Sequence, residues 1–157
     1  MKKMILLITL LSVILFSCTA FADDRWHWIY SNDDCSYYFD KDTIKYGTYP
    51  VNADQKRHIE FWLKTQYKWN GVKELANSMY EINYTPTNWY NVSYSIEHWE
   101  IDPNDKTYAL TTTIYYDKDG NQLTTFTMQG KWEDIFPESI GETIYKATVQ
   151  FANENIL

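Results

Sequence analysis

Twelve residues between His58 and Trp69 constrain the fold most. Ile59, Phe61, Leu63, Thr65, Tyr67 and Trp69 alternate with His58, Glu60, Trp62, Lys64, Gln66 and Lys68. A period of two with one apolar and one polar face predicts an antiparallel strand that is covered on one side only. Asn70-Gly71 follows as an expected turn, because both residues tolerate positive φ. Such a strand needs partners on both edges and a layer over its apolar face.

The rest of the chain supplies them. Trp26 to Tyr30 alternates and stops at the turn cluster Ser31-Asn32-Asp33-Asp34, and Cys35 to Asp40 reads as a second strand. Lys41 to Tyr46 leads into a loop with Gly47 and Pro50. Val72, Leu75, Met79 and Ile82 have helical spacing, and Asn83 to Asn88 reads as loop. Val92 to Ile101 and Thr107 to Tyr116 are expected strands joined at Asp102-Pro103-Asn104-Asp105, and Asp117-Lys118-Asp119-Gly120 turns the chain into Gln122 to Met128. Short turns between consecutive strands make a meander. At the end, Pro137 and Glu138 suit the first turn of a helix whose stripe is Ile140, Ile144, Ala147, Thr148 and Phe151. The expected fold class is α+β: an antiparallel β-meander sheet packed against a C-terminal amphipathic helix in two layers.

Upstream, Lys2 and Lys3 precede an apolar run from Met4 to Phe16 that ends in Ala20-Phe21-Ala22. The run is too short for a spanning helix, and charge order and small-x-small site predict a signal peptide over residues 1–22, cleaved after Ala22. An alternative processing site lies inside it: Leu15-Phe16-Ser17-Cys18 resembles a bacterial lipobox, which would lipidate Cys18. Residues 23–157 then form a single exported domain with no transmembrane span, expected in the periplasm, on the cell surface or outside the cell, as a monomer or weak dimer. The signal holds two of the fourteen basic residues and none of the twenty-one acidic ones, so the mature charge is −9. That charge argues against nucleic acid as a partner. Cys35 is the single mature thiol, either buried or free to link two chains.

No chemistry emerges from motifs. His27, His58 and His98 lie in different strands without ligand spacing, so no metal site is expected. Asp33 and Asp34 disfavour a Cys35 thiolate, which argues against a nucleophile. Asp117 to Asn121 begins like a calcium loop, but Gln122 and Met128 stand where an EF-hand requires Gly and Glu. Carboxylate pairs such as Asp33/Asp34 and Glu97/Glu100 are expected by chance among this many acids. Catalytic residues, cofactor and enzyme activity are therefore not expected. Aromatics are the remaining signal: Trp62, Trp89, Tyr90, Tyr94 and Trp99 could form a platform for a protein or glycan partner. Their alternative role is packing between sheet and helix; Trp62, on an otherwise charged face, is expected to be partly exposed.

Three stretches resemble the surface-adhesin E-like family of small exported bacterial domains. They are Tyr37-Tyr38-Phe39-Asp40 with Thr43-Ile44, then Glu60-Phe61-Trp62-Leu63-Lys64, and Trp132 with Ile135-Phe136-Pro137-Glu138-Ser139-Ile140-Gly141-Glu142. The resemblance implies an exported antiparallel sheet with a C-terminal helix and a non-enzymatic, adhesin-like role towards protein partners. It transfers no binding residue, and the lone mature Cys35 departs from members that could close an internal bridge. A carbohydrate-binding module using the exposed aromatics, or an enzyme with an unrecognised site, are the alternatives.

Overall fold

The alternation at His58 to Tyr67 becomes the central strand of one antiparallel sheet. The computed structural model describes residues 25–48, 57–85 and 87–156; the expected signal peptide, with the expected cleavage at Ala22 and the alternative lipidation at Cys18, lies outside them. The strands are β1 (Trp26–Ser31), β2 (Cys35–Asp40), β3 (Lys45–Thr48), β4 (Arg57–Tyr67), β5 (Tyr94–Asp102), β6 (Thr107–Tyr116), β7 (Gln122–Thr127) and β8 (Glu133–Asp134). Among the described residues, the helices α1 (Trp69–Glu81) and α2 (Ile140–Asn155) and a 3-10 turn at Trp89–Asn91 complete them. The sheet runs β1-β2-β4-β5-β6-β7, with β3 on the far end of β4 and β8 on the far end of β6. It is the expected α+β meander with a C-terminal helix.

Both helices lie on one face. Ile144 and Ala152 of α2 pack with Phe39, Ile59, Phe61 and Leu63. Ala76 of α1 packs with Trp89, Val92 and Tyr115, against Tyr67 of β4. Leu63 and Tyr67 are four residues apart on one strand and so share a face. No described helix covers the other face, where Trp62 and Lys64 stand.

Three expectations change. Trp69 opens α1 rather than closing β4, and Asn70-Gly71 lies in the first helical turn. The reason is a close approach: a Cβ on Gly71 would stand 2.4 Å from the Asp34 carbonyl oxygen. Lys68 N–H donates to that same carbonyl at 2.8 Å, and the Lys68 ammonium donates to the Asn32 carbonyl. The helix start is thus tied to the β1–β2 turn, where Asn32 Oδ1 accepts from the N–H groups of Asp34 and Cys35.

At α2, Pro137 and Glu138 precede the helix instead of forming its first turn. Ser139 is the N-cap; its Oγ accepts from Glu142 N–H at 3.1 Å, while the Glu142 carboxylate accepts from Glu138 N–H at 3.0 Å. The first satisfies an N–H that a helix start leaves orphaned, and the second ties the residue before the cap to the first turn. Ile144, Thr148 and Ala152 form the buried stripe, and Ile140 stays 39% exposed. Finally, Lys45–Thr48 is a strand rather than a loop lead-in, paired to Arg57–Glu60.

Candidate functional site

On the uncovered face, a row of partners crosses the sheet. Tyr38 of β2 pairs with Lys64 of β4, Lys64 with Ile96 of β5, and Ile96 with Ile114 of β6. One step along, Tyr94 pairs with Tyr116, and their rings stack at 4.9 Å with an interplanar angle of 10°. In the other direction Trp62 pairs with His98, ring to ring at 4.9 Å. His98 is itself held by Nδ1 to Thr111 Oγ1 at 2.7 Å.

The row encloses a shallow groove of about 400 Å³, lined by Trp26, Trp62, Lys64, Tyr94, Ile96 and Tyr116 among others. Its middle is Lys64. The ammonium lies 5.5 Å from the Trp26 ring centre and 4.8 Å from that of Tyr94. Arg25, ion-paired with the buried Asp40 carboxylate, also lies 5.5 Å from the Trp26 ring centre. The cations are thus placed against ring faces, which attract them through the ring quadrupole. Burial, followed by the neighbouring Tyr116 and Asp117, pushes the Tyr94 phenol up, so it remains a neutral donor. The groove therefore offers flat aromatic surface, two half-buried aliphatic side chains and positive charge, on a chain whose net charge is −7.

The five aromatics singled out from the sequence separate into four places. Trp62 and Tyr94 line the groove. Trp89 is fully buried: its Nε1 donates to the Tyr84 carbonyl at 2.9 Å and its ring meets Tyr115 edge-on at 5.2 Å. Trp99 is 8% exposed and stacks on Tyr108 at 4.9 Å under α2. Neither belongs to the groove. Tyr90 is exposed but belongs to another patch, with Trp69 and Tyr80 beside α1. Trp26, Ile96, Ile114 and Tyr116 were missed by the sequence reading. The signal for three of them was present, since Ile96, Ile114 and Tyr116 occupy the same-parity positions that cross-strand pairing aligns with Lys64 and Tyr94.

Glu97 and Glu100 project to opposite faces, as their odd spacing on one strand requires. His58 is buried with Nε2 2.8 Å from Glu60 Oε1, and His27 packs on Phe39 at 4.9 Å. Among the described residues no group of three His, Cys, Asp or Glu side chains could hold a metal. Cys35 is buried, and burial first, then the charges of Asp34 and Glu97, push its thiol up.

A family model described as surface-adhesin protein E matches residues 26–148, which span β1 through most of α2. The chain belongs to that family. Among solved structures, the chain is similar to the crystal structure of protein E from non-typeable Haemophilus influenzae, at 11% identity and a TM-score of 0.49, covering 84% of this chain and 80% of that one. No curated protein matches. The surface-adhesin protein E match takes in every groove residue except Arg25. Among the described residues of this family member, no helix is long and apolar enough to cross a membrane.

Proposed function

We propose that the chain is an exported, non-enzymatic adhesin-like domain that contacts a protein partner through the uncovered face of its sheet. Membership of the surface-adhesin protein E family supports the class of role. The observation that carries the site is the groove itself: Trp26, Trp62 and Tyr94 around Lys64, flanked by Ile96 and Ile114, with no described element over them. Aromatic rings on a rigid sheet bury area on binding at small entropic cost, and a lysine among them offers a partner carboxylate a charge-assisted bond. The proposed route to the surface is cleavage after Ala22, giving a released domain; acylation at Cys18 instead would tether it.

The test is solid-phase binding of the purified protein to a panel of extracellular-matrix and cell-surface proteins, compared with the Trp62→Ala/Tyr94→Ala double variant. Loss of about tenfold in affinity or more, about 1.4 kcal/mol, is expected for the partner that binds. Trp69→Ala, in the separate patch beside α1, should bind as the parent does. Equal binding by the double variant would remove the groove from the account.

A further inference from the structure

On the helix-covered face, the two cores do not meet. Between them, under the first turns of α2 and the β8 segment, lies a cavity of about 450 Å³. Small-molecule sites fall in this size range and are mostly apolar with a few placed polar groups. Here Leu63, Trp99, Tyr108, Ile135 and Ile144 supply apolar walls. Phe136, 70% exposed, and Ile140, 39% exposed, stand at the rim with apolar surface towards solvent.

The charge in the cavity is of one sign. Glu97 lines it, and its carboxylate is fixed by neutral donors: Thr65 Oγ1 at 3.1 Å, Ser95 Oγ at 2.7 Å and Trp99 Nε1 at 3.0 Å. Among the described residues no Lys, Arg or His forms an ion pair with Glu97. Glu133, whose Oε1 lies 3.9 Å from the exposed Lys131 ammonium, and Asp134 add two more carboxylates to the lining, and no Lys or Arg belongs to it. Burial, and after it the charge of Glu97, push the Tyr67 phenol up; burial is also the largest cause for Tyr37 and Cys35. These walls stay neutral, so Glu97 faces the space without a counter-ion. A half-buried carboxylate in that position favours a cation over a neutral or anionic occupant.

We propose that this cavity is a binding site for a small organic cation with an aromatic or aliphatic body, an arylalkylamine in its simplest form. The ammonium head would meet Glu97, and the body would lie against Trp99, Tyr108 and Ile144 beneath Phe136. The site is independent of the groove, which opens on the opposite face.

The test is calorimetric titration of the purified protein with 2-phenylethylamine, with its neutral analogue 2-phenylethanol and with the anion 3-phenylpropionate. Saturable binding of the amine is expected, with the other two weaker by about tenfold or more. Glu97→Gln keeps an acceptor for Thr65 and Ser95 and should cost the amine about tenfold. Gly141→Leu is the second variant. Gly141 lines the cavity, and a Cβ there meets only Ser139 Oγ at 3.5 Å, so the added side chain has room to occupy the space and suits the helix. It should abolish binding with the charge intact, and it decides the matter if Glu97→Gln does not fold. No saturable heat with the amine in the millimolar range, equal binding of all three compounds, or undiminished binding by Gly141→Leu would each overturn the proposal.

Discussion

The Lys64 ammonium sits 4.8 Å from the centre of the Tyr94 ring, on the side of the sheet that no described helix covers. Lysine stems commonly lie along apolar surface while their heads reach water. Here the head itself stays over rings, with Trp26 on the other side at 5.5 Å. Lys64 therefore fills the middle of the groove and keeps its walls apart. An exposed cation–π contact contributes about 0.5–1 kcal/mol. Lys64→Ala is accordingly expected to lower stability by no more than about 1 kcal/mol in urea unfolding, with a change in tryptophan emission as the rings repack.

Gly71→Ala should destabilise, although alanine is ordinarily the better helix residue by about 0.5–1 kcal/mol. The added Cβ would stand 2.4 Å from a backbone oxygen and 3.1 Å from Cys35 Sγ, neither of which is the free end of a flexible chain. Either α1 or the β1–β2 turn must shift. A net loss of about 1–3 kcal/mol is expected from denaturant midpoints. A gain would mean that α1 does not rest on Asp34.

Trp89 and Trp62 should behave oppositely under truncation. Trp89 is wholly buried among Ala76, Val92 and Tyr115, and Trp89→Ala is expected to cost about 3–5 kcal/mol. Trp62 contacts His98 on an open face, and Trp62→Ala should cost about 1 kcal/mol. Thermal melts of the two variants side by side check the contrast.

Alkali should unfold the domain through its buried phenols. Burial, then Glu97, push the Tyr115 phenol from 10.0 to about 12, and burial pushes Tyr37 and Tyr67 up as well. A phenol whose pKa is raised by folding contributes stability that is complete below its unfolded value. That contribution is lost as the pH rises through the folded value. Stability should therefore fall from about pH 10 towards pH 12 for Tyr115. Tyr115→Phe, which cannot ionise, should move the alkaline transition to higher pH in a titration followed by phenolate absorbance.

The sequence carried much of this architecture, for identifiable reasons. The His58 to Tyr67 alternation is a clean period of two because one face of β4 meets two helices, while the other, with His58 buried and Glu60, Trp62 and Lys64 half-buried, lies under no described helix. Strand β8 has only two residues, too few to show a period, and β3 has four. The α1 start was hidden because Asn70-Gly71 has the composition of a turn, while its real constraint, the Asp34 carbonyl, is distant in sequence.

The groove was half legible. Trp62 is out of place on a charged face, and Tyr94 shares its parity once β4 and β5 are aligned. Trp99 is five residues from Tyr94 and therefore points to the other face, whatever its nearness along the chain. Trp89 lies outside any strand, so no periodicity could say that it turns inwards. Trp26 enters through the β1–β2 pairing, which places residues far apart in sequence beside Lys64.

The groove's role is most directly read from the indole N–H signals of the protein as a binding partner is titrated in. Trp62 and Trp26 line the groove, whereas Trp89 is buried under α1 and Trp69 is exposed at its first residue. Binding at the uncovered face should shift or broaden the Trp26 and Trp62 signals and leave those of Trp69 and Trp89 in place. A partner that perturbs Trp69 while Trp26 and Trp62 stay unchanged would show that contact is made elsewhere.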